Sequence, residues 1–347
     1  MTGNIPTSMR VVEAAGFGLD MLRVVDRPVP QPRRGEILVR LAAATLNYRD
    51  LAILKGTYKP GLKFERAFIP ASDACGTVVA LGPDVTRFVV GDRIIPVFTQ
   101  GWISGLPTPE MRNGRQLGLP LDGVLREYIT ILAEDAVHAP LTLTDIEAAT
   151  LPIAALTAWT TLQEGRVKSG AWVLAMGTGG VALFALQFAK LAGAQVAVIS
   201  SNDEKLARVR ELGADATINY RQNPDWAPLV RKATGGRGVD IVVETAGTLS
   251  RSLSAAAFGG FVGVIGFTAG HAAEFDLRQL IGPLVRVQGI ATGSRSSFEG
   301  MNRAIALHGL KPVIDQVFPL DRVPDALALM ERGGHFGKIA ITIARES

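Results

Sequence analysis

Two patterns of apolar and polar positions share this chain. From Arg10 to Leu41, short alternating apolar runs are broken by "RPVPQPRRGE", which predicts small strands joined by Pro and Gly turns. "LAAATLNYRDLAILKGTY" then predicts a short helix, and "IPASDACGTVVALGPDVTRFVVGDRIIPVF" returns to strands punctuated by Gly76, Gly82 and Gly91. Thr99 to Leu121 has no periodicity and reads as a long loop. It is expected either to shape a substrate mouth or subunit contact, with Trp102 as anchor, or to be a plain surface excursion. "DGVLREYITILAEDAVHAP" brings another strand, and "TDIEAATLPIAALTAWTTLQ" starts a helix whose Thr144 and Glu147 have the spacing of a capping box.

The second pattern begins at Trp172. The apolar run Trp172 to Met176 predicts a buried strand, followed at once by Gly177, Thr178, Gly179, Gly180 and Val181 and then by a helix-length apolar segment. A second apolar run, Gln195 to Ile199, follows Gly193, so the stretch is a βαβ unit of about thirty residues. Its spacing Gly177-x-Gly179-x-x-Ala182 fits a dinucleotide fingerprint. The first glycine allows the tight turn, the second lets backbone approach a pyrophosphate, and the alanine lets helix and strand lie close. Further strands follow in "GADATINY", "GGRGVDIVVETAGT", "AFGGFVGVIGFTAG" and "LVRVQGIATGSR". "SFEGMNRAIALHGL" is an amphipathic helix, and Pro312 marks a return to the first domain before a last strand after Gly337 and Lys338. The fold class is therefore α/β, a doubly wound parallel sheet beside a β-rich domain.

The end of the second βαβ strand bears on which nucleotide binds. An NAD site uses an acid there for the ribose hydroxyls, whereas this chain has Ser200 and Ser201, with Lys205 and Arg208 beyond. Hydroxyls and cations accept a 2′-phosphate that an acid would repel, so NADP(H) is the expected cofactor. Lys205 and Arg208 can also be read as the solvated face of a helix over Asp203 to Leu212. Strand carboxyl ends hold the ligand in such a sheet, which adds Ala246, Gly247, Gly266 and Phe267, and Gly293 completes the expected cofactor contacts.

Composition narrows the classes. The 347 residues suffice for two domains, and 48% apolar with 20% charged residues describes a globular protein. A net charge of +4 without a basic run implies no nucleic-acid partner. The uncharged window Ser252 to Gly270 holds five glycines and reads as a helix end, a turn and a buried strand rather than a membrane span. The single cysteine, Cys75, excludes an internal disulfide and a cysteine-rich zinc site. The start, "MTGNIPTSMRVVE", shows no secretory pattern, and a cytoplasmic location is the default expectation.

"LNYRDLAILKGTY", "IPASDACGTVVALG" and "VVGDRIIP", in this order before the fingerprint, resemble the medium-chain dehydrogenase/reductase superfamily, and within it the zinc-free quinone-oxidoreductase-like branch. The resemblance covers nearly the whole chain. It implies a GroES-like catalytic domain over 1–130, a Rossmann cofactor-binding domain over 131–310 and a C-terminal return over 311–347. It also implies a homodimer, paired through the sixth strand. Zinc-dependent relatives carry a cysteine where this chain has Asn47 and a His-Glu pair where it has Ser72 and Asp73, so no metal is expected. Of His138, His271, His308 and His335, no two have the spacing of a metal pair. The resemblance further places Thr157 beside the nicotinamide, although Thr157 also reads as a buried helix residue bonded to its own backbone. It sets Tyr220 against the 2′-phosphate with Lys205. For Lys338 it leaves two readings, a phosphate contact or a solvated strand-start lysine.

A hydride-transferring cofactor needs a partner that stabilises or protonates the developing anion. Asn47, Tyr48 and Tyr58 are the candidates, Asn47 as a hydrogen-bond partner of the nicotinamide ribose or of the substrate oxygen and Tyr58 or a water as proton donor, with Asp50 bracing the helix. Tyr58 in "KGTYKP" resembles the proposed proton-donor turn of zinc-free enone reductases, except that Lys59 stands before Pro60. The expected function is NADPH-dependent reduction of a quinone or enone. The alternatives are an NADP-dependent alcohol or carbonyl dehydrogenase without zinc, and a non-catalytic NADPH-binding interaction protein.

Overall fold

A computed structural model describes residues 5–343 and divides the chain into two compact units, Met1–Ile153 with Gly293–Ser347, and Ala154–Thr292. The first unit opens with β1 (Ser8–Ala14), β2 (Leu22–Pro28), β3 (Glu36–Thr45), α1 (Tyr48–Leu54), β4 (Asp73–Leu81), β5 (Arg93–Pro96) and α2 (Pro109–Gly114). It continues through β6 (Tyr128–Leu132), β7 (Ala136–His138) and α3 (Asp145–Ala148), where Thr144 and Glu147 form the expected capping box. A π-helical turn, Leu151–Ala155, leads into the second unit.

That unit runs α4 (Leu156–Glu164), β8 (Trp172–Met176), α5 (Gly180–Leu191), β9 (Gln195–Ser200), α6 (Asp203–Glu211), β10 (Ala216–Asn219), α7 (Ala227–Ala233), β11 (Val239–Glu244), α8 (Leu249–Ala255), β12 (Ala256–Val264), α9 (Arg278–Ile281) and β13 (Arg286–Gly289). Its six strands lie in the order β10-β9-β8-β11-β12-β13, all parallel. The order reverses between β8 and β9 on one side and β11 on the other, the switch point at which doubly wound sheets take their ligand. Both sheet faces are covered, so Val173, Leu174, Ala175, Val196, Ala197, Ile241, Val242 and Val243 are all buried, as parallel strands require. The uncharged window Ser252 to Gly270 becomes the end of α8 and all of β12. Among the described residues no helix is long and apolar enough to cross a membrane.

The chain then returns to the first unit as α10 (Arg295–His308), β14 (Ile314–Pro319), α11 (Val323–Glu331) and β15 (Lys338–Thr342). β15 lies between β14 and β3 in the order β14-β15-β3-β4-β5-β7, with β6 also on β3, so the end of the chain completes a sheet begun at its start. Ile37, Leu38, Ile53, Leu54, Ile339 and Ile341 meet in one core there. The units part at 153/154 and 292/293, not at the 130/131 and 310/311 read from the sequence. β6 and β7 pair with β3 and β5, and Asn302 on α10 donates to the His138 carbonyl at 3.0 Å, which keeps both segments in the first unit.

The Thr99 to Leu121 stretch is more ordered than its composition suggests. It bridges Thr99 to Gln116 and contains α2, capped by Thr108. The Trp102 ring is buried and donates to the Gly105 carbonyl at 2.9 Å, while its own carbonyl accepts from Arg295 at the start of α10. Trp102 thus anchors the stretch to its own unit.

Candidate functional site

Each unit carries a constellation of its own. In the second unit the turn after β8 is built for close approach. Gly177 has φ +85°, a conformation that only glycine adopts without strain. Gly179 differs: its backbone is ordinary, and a Cβ there would meet nothing within 4 Å. Neither conformation nor packing requires glycine at 179, and the room it leaves lies over the α5 N-terminus, whose first N–H groups have no side-chain cap. Gly180, Val181 and Ala182 form the first turn of α5, with Ala182 buried.

Next to this turn is a cavity of about 410 Å³, lined by Met176, Gly177, Ile199, Tyr220, Trp226, Ala246, Thr248 and Arg251 among others. Gly177, Tyr220 and Ala246 are residues the sequence singles out, whereas Trp226, Thr248 and Arg251 are not, because α7 and α8 show no local sign of facing a ligand. β9 ends in Ser200, buried, with Ser201 half-buried after it and no carboxylate at that strand end. Asn202 caps α6 through the Lys205 N–H at 2.9 Å, and the nearest acid in that turn, Asp203, accepts from Asn219 and Gln222, both at 2.8 Å. The Tyr220 N–H donates to the Ser200 carbonyl at 3.0 Å, so Ser200 and Tyr220 stand together at the neighbouring ends of β9 and β10, and Lys205 lies in the first turn of α6.

The turn after β11 has its own organiser. Glu244, fully buried, accepts from the N–H groups of Ala246 and Gly247 at 2.8 and 2.9 Å and is bonded by the Ser252 hydroxyl. Gly266 is a packing glycine, since a Cβ would stand 2.6 Å from the Thr245 carbonyl oxygen. The Phe267 ring lies 4.5 Å from that of His271, tilted by 38°. Thr157 is buried on α4, and its carbonyl accepts from Thr161. Gly293 falls in the first unit, between β13 and α10.

In the first unit, three neighbouring strands bring their ends together. Asn47 follows β3, Asp73 opens β4 and Lys338 opens β15. The Lys338 ammonium donates to the Leu46 carbonyl and Asn47 Oδ1, both at 2.7 Å, and to Asp73 Oδ2 at 3.4 Å. Asn47 Nδ2 donates to Asp73 Oδ2 at 2.8 Å, and the Asn47 backbone N–H donates to Asp50 Oδ2 at 2.8 Å, the brace expected of Asp50. Lys338 is 3% exposed, so it is neither the solvated lysine nor the phosphate contact read from the sequence; a desolvated ammonium needs the fixed oxygens it has found. Beside this set, the buried Arg49 guanidinium donates to Ser72 Oγ at 2.8 Å and to the Leu117 and Leu119 carbonyls. It lies 5.1 Å over the Tyr58 ring and 4.9 Å from that of Phe98. Tyr48 is 49% exposed on the first turn of α1.

Burial pushes the Asp73 carboxyl up to about 6, against the pull of Lys338 and the Asn47 amide. Burial likewise raises Asp50, opposed by Arg49, and lowers Lys338, opposed by Asp73 and Asp50. Two cations and two carboxylates therefore share one small volume. This donor set does not suit a zinc ion, which takes thiolates, imidazoles or carboxylates: Asn47 and Ser72 are neutral, and Asp73 is already paired with an ammonium. Among the described residues no three His, Cys, Asp or Glu side chains gather as a metal-holding group.

Two families match the chain, one described as alcohol dehydrogenase GroES-like domain over residues 33–141, the other as zinc-binding dehydrogenase over 180–306. A zinc-type alcohol dehydrogenase-like protein of Schizosaccharomyces pombe is 41% identical, the alignment covering 94% of this chain and 96% of the relative. A chloroplastic quinone-oxidoreductase homolog of Spinacia oleracea is 30% identical over 96% of this chain and 98% of the relative. A crystal structure of a Sinorhizobium meliloti 1021 protein superposes with a TM-score of 0.92 at 41% identity, covering 98% of this chain and all of that one. The chain belongs to the medium-chain dehydrogenase/reductase superfamily of oxidoreductases, whose members bind a nicotinamide cofactor and act on small molecules.

Because the folded state raises the Asp73 pKa, it retains a proton that the unfolded chain releases between about pH 4 and 6. That contribution to stability is present at low pH and is lost as pH rises through 6. Asp73→Asn removes this titration, so the stability that wild type loses between about pH 4 and 6 should be largely retained by the variant. In thermal melts any deficit relative to wild type should narrow as pH rises from about 4 to about 7. A deficit that widens over that range would contradict the assignment.

Proposed function

We propose that this member of the superfamily is an NADPH-dependent reductase of quinones or activated carbon–carbon double bonds that works without a catalytic zinc. The observation that carries the reading is the commitment of Asn47, Ser72 and Asp73 to Lys338, Arg49 and one another. An alcohol yields hydride poorly without a Lewis acid to lower the pKa of its hydroxyl. A quinone or enone asks only for a hydride, a proton and a donor for the oxygen that becomes negative. The names of the Spinacia and Schizosaccharomyces relatives point to different substrates, and the donor set favours the former.

Bound NADPH supplies the hydride. In the second unit, the turn at Gly177 to Val181 and the α5 N-terminus take the pyrophosphate, and the adjoining cavity takes the adenosine. Ser200, Ser201, Lys205 and Tyr220 take the 2′-phosphate. Thr157, Ala246, Gly266 and Phe267 are assigned to the remaining cofactor contacts of this unit. In the first unit Asn47 serves as donor to the substrate oxygen and the Tyr58 hydroxyl as proton donor, with Tyr48 beside the substrate.

β13 pairs only with β12 among the described residues, and Val287 and Leu284 on and before it are exposed. A second copy of the chain pairing along this edge accounts for both. Sedimentation at micromolar concentration should give a dimer mass, and a monomer would refute this pairing.

NADPH oxidation, followed by absorbance with a panel of quinones and enones, should exceed background with at least one acceptor. A panel with no turnover would sink the catalytic reading. NADPH should bind at least about tenfold more tightly than NADH, about 1.4 kcal/mol, and Lys205→Ala should remove most of that difference. Equal affinities in the wild type would refute the role given to the β9 end.

A further inference from the structure

Lys338 stands at the centre of the first unit's polar set, and its contacts are those of a part made to hold something else in place. An ammonium has three N–H donors, and the three oxygens of Leu46, Asn47 and Asp73 match that number. The same contacts orient the Asn47 carboxamide without ambiguity. A lysine can only donate, so Oδ1 faces it; an ionised carboxylate can only accept, so Nδ2 faces Asp73. One N–H of that amide is left uncommitted by these contacts, on a residue that is only half-buried.

The frame behind it is rigid. The Leu46 N–H donates to the Ile339 carbonyl at 3.0 Å, Thr45 pairs with Ala340 on one side and with Asp73 on the other, and Asn47 is fixed again as the residue opening α1. Burying an ammonium and a carboxylate costs several kcal/mol per ion, and apolar side chains of similar volume would join the strands as well. Simple cohesion does not account for charges at this place.

We propose that Lys338 is a positioning residue: together with Asp73 it fixes the Asn47 carboxamide so that its remaining N–H is offered to the substrate oxygen on which negative charge develops. The inference rests on the reductase reading above and deepens it, since a donor aimed in advance stabilises the developing charge without reorganising. Asn47 touches the substrate; Lys338 acts only through Asn47.

The test uses Lys338→Met/Asp73→Asn, in which neither partner is left as an uncompensated buried charge, alongside Asn47→Ala and the triple variant. With NADPH and naphthoquinone, kcat should fall at least about tenfold in the double variant, while KM for the quinone and NADPH affinity by fluorescence stay within about threefold. Asn47→Ala should lose a similar factor, and the triple variant should be no slower than Asn47→Ala, because residues acting through one group are not additive. A double variant with wild-type kcat, or a triple variant whose losses multiply, overturns the proposal. A second measurement is independent of turnover. The Asn47 side-chain amide signals of isotope-labelled protein, identified by their loss in Asn47→Ala, should exchange with solvent at least about tenfold more slowly in wild type than in the double variant. Equal exchange overturns the positioning role whatever the activity. If wild type turns over no acceptor, the reductase reading fails, and amide exchange still decides whether Lys338 holds Asn47.

Discussion

A buried ion pair constrains the first unit more than any other interaction in it. Lys338 and Asp73 sit at the ends of β15 and β4, with the end of β3 between them, and neither can be solvated. Once those two charges are fixed, much follows. The Asn47 amide has one orientation, α1 starts at one place, and Asp50 and Arg49 must stay close enough to balance the local charge. Arg49 in turn ties Ser72 to the carbonyls of Leu117 and Leu119, so the loop after α2 is held through the same network. A network of this kind fixes geometry at the expense of stability, the reverse of what an apolar core does.

The second unit reaches its purpose by the opposite means. The turn proposed to take the cofactor is defined by what is missing: no side chain at Gly179, no side-chain cap on α5, no acid at the end of β9. Backbone N–H groups and open space are enough for a pyrophosphate, which brings its own charge. The anionic group that does stand at a strand end, Glu244, is turned inward onto Ala246, Gly247 and Ser252, where it shapes the loop.

This contrast explains which parts could be read in advance. The β8–α5–β9 unit, the Thr144–Glu147 cap and the Asp50 brace are encoded within a few residues of themselves, and their patterns are visible in the sequence. Lys338 bonds a residue 291 positions away, and nothing in "GGHFGKIAIT" distinguishes it from a solvated lysine. Trp226 and Arg251 reach the cavity through the packing of α7 and α8, which a linear pattern does not record. The Thr99 to Leu121 stretch looks structureless because its order comes from Trp102 meeting α10, an element nearly two hundred residues further on. The domain breaks fall elsewhere than expected for the same reason: β6 and β7 are assigned by their partners, not by their composition.

The position of β15 also carries a consequence for how the molecule is made. The second unit is one continuous segment, whereas the sheet of the first needs its last strand inserted between β14 and β3. On a ribosome, β3 and β4, which opens with Asp73, therefore emerge long before the strand that carries Lys338, and the sheet closes only once β15 has emerged. Until then no ammonium stands beside Asp73. A chain that stops ahead of Lys338 lacks both β15, which joins β14 to β3, and the ammonium that faces Asp73.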